Sequence, residues 1–101
     1  MEIEDKKLYE KALKYKGESS QLDILIEELS EAIHATVKYK RLKEGLYEKE
    51  VLKEHLIEEL GDVQIMINQT LINFNAENEF ELVMSRKIER LKKRLKSLEE
   101  K

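Results

Sequence analysis

Two stretches decide how this chain is read: LIEELSEAI at Leu25–Ile33 and LIEELGDVQ at Leu56–Gln64. Each runs apolar, apolar, acid, acid, Leu, small, acid, and the copies lie 31 positions apart. On a helix each residue advances about 100°. With Leu29 at zero, Leu22, Leu25, Ile26, Ile33 and Thr36 gather about it as the expected core stripe. Glu28 and Glu31 then share one flank, three residues apart, with Ile24 and Ala35 a turn to either side. Around Leu60, Glu59 and Asp62 take the same two sectors, bracketed by His55 and Met66. An exposed, salt-bridged face gives no reason for such a match. If the leucine stripes face each other, both acid pairs converge beside the seam.

Four converging carboxylates repel and raise one another's pKa values unless a cation neutralises them. Oxygen-only ligands suit a hard ion, Mg²⁺ with Mn²⁺ as a possible substitute, better than zinc.

Around these stretches the chain reads as helix throughout. Its 101 residues contain no Pro and three Gly, with 41% charged and 41% apolar residues. That composition predicts long helices in one domain, residues 1–101. A first helix is expected over Glu4–Lys16, with Leu8, Ala12, Leu13 and Tyr15 inward and Gly17 as its stop. A second opens at Ser19/Ser20, where Ser20 and Asp23 resemble a capping box, and runs to about Lys43, stopping near Gly45. A third covers Glu48–Phe74, with Leu56, Leu60, Val63, Ile67 and Leu71 on one face and Ile65 and Ile72 on another. The turn residues Asn73, Asn75 and Asn78 end it, and Asn78 with Glu81 caps a fourth helix. There Met84, Ile88, Leu91, Leu95 and Leu98 recur with 4-3-4-3 spacing, a narrow bundle seam. Short connections make neighbours antiparallel, so the expected class is a small all-α bundle of about four helices. The third helix is apolar on more sides than four helices cover, so a homo-oligomer is expected to complete the bundle.

A net charge of −3 favours neither nucleic acid nor membrane as a partner. No Cys is present, which excludes disulfide and thiolate chemistry. The N-terminal MEIEDKKLYEK lacks the apolar core of a secretory signal, and no apolar run spans a bilayer; a cytoplasmic location is expected.

Glu28-x-x-Glu31 followed by Glu59-x-x-Asp62 resembles the ExxE…ExxD signature of all-α nucleoside triphosphate pyrophosphohydrolases. The likeness is greatest to short, single-domain MazG-like proteins, and it extends over ESSQLDILIEELSEAIHATVKYKR, EHLIEELGDVQIMINQ and SRKIERLKKRL. The resemblance implies a helical bundle that assembles as a dimer or tetramer with sites near subunit interfaces. It implies Mg²⁺-dependent cleavage of a (d)NTP between the α- and β-phosphates, giving (d)NMP and pyrophosphate, in cleansing or adjusting nucleotide pools. Glu28, Glu31, Glu59 and Asp62 would be its metal ligands and catalytic residues. Glu27 or Glu58 would orient the attacking water only by turning back from the outer side. Lys87 and Arg90 align with bases that contact the phosphate tail, and Lys38 is a further candidate. Gln21 matches a position near base or sugar, and Asn68 lies within reach of a sugar hydroxyl. His34 and His55 read as structural or surface residues. Larger MazG proteins are tandem or extended, so substrate preference does not carry over.

Two other readings compete. A di-metal carboxylate bundle needs Glu-x-x-His on two helices; Glu31-x-x-His34 supplies one, and the second copy has none. A non-enzymatic helical adaptor would leave the acids solvated and use the basic fourth helix for a partner, although Glu89, Glu99 and Glu100 dilute its charge.

Overall fold

Gly17 shows how local sequence sets the first corner. A computed structural model describes residues 5–42 and 46–100, and in it Gly17 has φ +81° and ψ 157°, a backbone state essentially reserved for glycine. It ends helix α1 (Lys6–Lys16) and directly precedes α2 (Glu18–Arg41). Its N–H donates to the Leu13 carbonyl at 2.8 Å, and its own carbonyl accepts from Gln21 N–H at 3.1 Å. Helices α3 (Leu46–Asn73) and α4 (Glu77–Glu99) complete an all-α bundle, with no strand among the described residues.

Both expected capping boxes fail to form. Helix α2 begins at Glu18, so Ser20 already lies in its first turn. Helix α4 begins at Glu77 behind Ala76, with no side-chain cap. The α3–α4 corner is made instead by Asn75 at φ +53° and by Ala76 N–H donating to the Leu71 carbonyl at 2.9 Å. The expected start at Glu4 and the stops at Lys43 and Gly45 lie outside the described residues.

The main contact joins α2 to α3; α1 rests on α3 and touches α2, and α4 packs on α3 and is tied to α1 by the Lys6–Glu77 ion pair. Residues 21 and 69 pair, as do 28 and 59–62, so α2 and α3 run antiparallel. Their seam differs from the expected stripes. On α2 the seam comprises Gln21, Leu25, Glu28, Ala32, Ala35 and Tyr39, with Leu22 and Ile24 half-buried beside it; on α3 it includes Leu56, Glu59, Val63, Met66 and Thr70. Both sets repeat at 4-3-4-3 spacing, a coiled-coil seam. Leu29 (42% exposed), Ile26, Ile33 and Leu60 (52%) face out. Each helix has two apolar sides; α2 buries the one that carries the small residues Ala32 and Ala35, and α3 the one that carries Leu56, Val63 and Met66. In α1, Tyr9 is the buried residue, whereas Leu8 and Tyr15 are exposed.

Helix α4 departs furthest from expectation. Met84, Ile88, Leu91, Leu95 and Leu98 do have seam spacing, but all are 41–63% exposed. The Cα radius of gyration is 17.4 Å, against about 13 Å for a compact chain of this length. The helix stands off the body, pinned at its start by Lys6 Nζ donating to Glu77 Oε2 at 3.0 Å.

Candidate metal centre

The acids lie in the α2–α3 seam rather than beside it. Glu28 and Glu59 occupy positions that in a heptad repeat belong to apolar residues, and both are half-buried. Asp62, one turn beyond Glu59, stands at the exposed mouth of the same spot. One carboxylate oxygen each from Glu28, Glu59 and Asp62 lie within 4.8 Å of one another. Glu31 sits at the rim, within hydrogen-bonding reach of Glu59 and close enough to feel Asp62. The structure thus brings three of the four expected acids together, and Glu31 is exposed nearby on α2, close enough for its charge to act on Glu28.

The electrostatics are unfavourable as they stand. Burial pushes the Glu28 carboxyl above its ordinary value, and the charges of Glu31, Asp62, Glu59 and Glu27 push it further. Burial likewise raises Glu31, followed by the charge of Glu59 and the hydrogen bond between them, while His55 opposes the shift. Among the described residues, the one basic side chain within 4 Å of any of these acids is His55, whose Nε2 is 3.8 Å from Glu59 Oε1. Buried Glu28 Oε2 and Glu59 Oε2 have no hydrogen-bond partner. Orphaned carboxylate oxygens in a helix interface are costly, and a hard divalent cation with several oxygen ligands would satisfy them. His55, read from sequence as a structural or surface residue, is exposed and stands beside Glu59, as their i, i+4 spacing allows.

The other sequence candidates are dispersed. Gln21 is 3% exposed: its carboxamide accepts from Gln69 Nε2 and donates to the Ala12 carbonyl at 3.3 Å. Any contact with a sugar or base would require that pair to open. Asn68 accepts from Gln64 Nε2 at 2.8 Å and lines a groove of about 660 Å³ between α3 and α4, on the far side of α3 from the acids. Lys87 and Arg90 are exposed on α4 and line a shallow dip with Val83 and Arg86. Because α4 does not touch α2, a single chain does not bring these bases to the carboxylates. Lys38 is exposed on α2, two turns past Glu31. His34 shares a surface depression with Ser30, Glu31 and Ile33. Glu27 and Glu58 are exposed on the outer side. Among the described residues, no helix is long and apolar enough to cross a membrane. Comparison of the chain with protein-family models, with curated proteins and with solved structures finds no match in any of the three.

Proposed function

We propose that this chain is a Mg²⁺-dependent nucleoside triphosphate pyrophosphohydrolase. The observation that carries the reading is the cluster of Glu28, Glu59 and Asp62 oxygens within 4.8 Å, in a helix seam, with Glu31 at its rim. The oxygen-only donor set and the two orphaned oxygens fit Mg²⁺. When bound, such an ion supplies charge neutralisation for a polyphosphate and activates water near neutral pH.

The residues' own work follows from their placement. Glu28 and Glu59 fix two ligand oxygens on rigid helices, Asp62 adds a third at the mouth, and Glu31 offers a fourth from the solvent side. Water adds to the α-phosphorus, the α,β-bridging bond breaks, and its electron pair leaves with pyrophosphate, so that NTP and water give NMP and pyrophosphate. Anionic oxygens outside the cluster call for cationic partners. Lys38 lies on the right helix; Lys87 and Arg90 would have to arrive from another copy, which accords with a homodimer or homotetramer.

A panel of ordinary and modified (d)NTPs with Mg²⁺, scored for pyrophosphate against orthophosphate, tests this. Pyrophosphate release is expected, and its loss in Glu59→Gln. Orthophosphate as the direct product, or no turnover across the panel, contradicts it. The exposed, basic α4 favours one second reading, a partner-binding adaptor. In that case Glu31→Gln/Asp62→Asn would leave partner binding intact, whereas the hydrolase would lose turnover.

A further inference from the structure

The two carboxylate oxygens of Glu59 have different surroundings. Oε2 is buried without a hydrogen-bond partner, whereas Oε1 lies 3.8 Å from Nε2 of His55, one turn earlier on α3. That separation is too long for a hydrogen bond. It is close to the span of two ligands on one ion. A nitrogen and an oxygen each about 2.1 Å from a shared ion stand about 3.0 Å apart in octahedral geometry and about 3.4 Å in tetrahedral. The His55 side chain is 48% exposed, and a small turn of its ring closes the difference.

The sequence puts His55 on the right face for this. His55, Glu59 and Asp62 stand at i, i+4 and i+7, within about 60° of one another around α3. Side chains at i and i+4 on one face are how a single helix presents two donors to one ion. Across the seam, exposed Glu31 is within hydrogen-bonding reach of Glu59 and close enough to feel His55. The centre thus has two ends that share Glu59. Towards the interior, Glu28, Glu59 and Asp62 offer oxygen alone. Towards solvent, Glu31 and Glu59 offer oxygen and His55 offers nitrogen. The chain's other histidine, His34, is exposed on α2 beside Ser30, Glu31 and Ile33. Among the described residues it has no carboxylate within 4 Å. Oxygen donors suit Mg²⁺, whereas an imidazole suits later first-row ions such as Zn²⁺ and Fe²⁺.

We propose that His55 is a nitrogen ligand at the solvent end of the carboxylate centre, sharing a first-row transition ion with Glu59 Oε1 and setting which ion the centre prefers. This rests on the carboxylate centre of the reading above and concerns its metal alone, so the test reads binding and not turnover. Electron spin echo envelope modulation of the protein loaded with Mn²⁺ detects a directly bound imidazole nitrogen. Nitrogen modulation is expected in wild type and in His34→Ala, and its loss in His55→Ala. In competition titrations against Mn²⁺, His55→Ala should weaken Zn²⁺ about tenfold or more and leave Mg²⁺ nearly unchanged. His55 is exposed, and circular dichroism checks that the helices persist. Mn²⁺ uptake without nitrogen modulation, modulation that survives in His55→Ala, or equal losses of Zn²⁺ and Mg²⁺ would each overturn the proposal and leave the carboxylate centre standing. No Mn²⁺ uptake by wild type would overturn both.

Discussion

Glu59 stands where a helical seam ordinarily takes a leucine, and its neighbours across that seam are Glu28 and, at the rim, Glu31. Glu28 and Glu31 are both raised above an ordinary value of 4.5. A carboxyl whose folded pKa exceeds its unfolded one lends most stability below the unfolded value and loses it as pH rises through the folded value. Without divalent cation, the cluster's contribution should therefore fall as pH climbs from 4.5 toward neutrality. Thermal midpoints of wild type minus Glu59→Gln, with and without Mg²⁺, isolate this contribution from other carboxylates. The difference should grow less favourable to wild type with pH, and Mg²⁺ should reverse the trend. A difference that improves with pH in metal-free buffer would refute it. The Gln21–Gln69 pair gives a second expectation. Gln69→Leu orphans a buried carboxamide and should cost about 1–3 kcal/mol, whereas Gln21→Leu/Gln69→Leu should recover most of that, as read from urea unfolding. The acids were legible because the motif is duplicated. The glutamine pair was not, because two glutamines 48 positions apart carry no local signal.

At the level of the helices, the two glycines among the described residues have opposite roles. Gly17 occupies a conformation that a side chain strains, so Gly17→Ala should destabilise by about 1–3 kcal/mol. Gly61 is helical, and a Cβ built there meets nothing within 4 Å. Gly61→Ala should therefore stabilise the chain by about 0.5–1 kcal/mol through helix propensity alone. Calorimetric melting of the two variants checks both signs. Helix existence, type and number were readable from periodicity and from the lack of proline. Which side each helix buries was not. Leu29 and Leu60 mark the stronger apolar stripe, but α2 turns the small Ala32 and Ala35 into the intrachain seam, which allows close backbone approach, and α3 turns in Leu56, Val63 and Met66. The two capping motifs misled for a related reason: backbone geometry at Gly17 and Asn75 already sets both corners.

For the molecule as a whole, the same surplus of apolar surface joins fold and function. A chain with a radius of gyration of 17.4 Å and, among its described residues, no large side chain fully buried gains little from its own core. Covering Leu29, Leu60 and the α4 stripe in an assembly adds apolar burial at about 25 cal/mol per Å². Stability should accordingly depend on protein concentration, with melting temperature rising as concentration rises; a concentration-independent melt would contradict an obligate oligomer. The central claim nevertheless concerns the seam. Titration of Mn²⁺, followed by its electron paramagnetic resonance signal, with and without a (d)NTP, measures it most directly. Wild type should show saturable uptake strengthened by nucleotide, and Glu59→Gln should lose it while remaining helical. Indistinguishable titration curves for the two proteins would contradict the account.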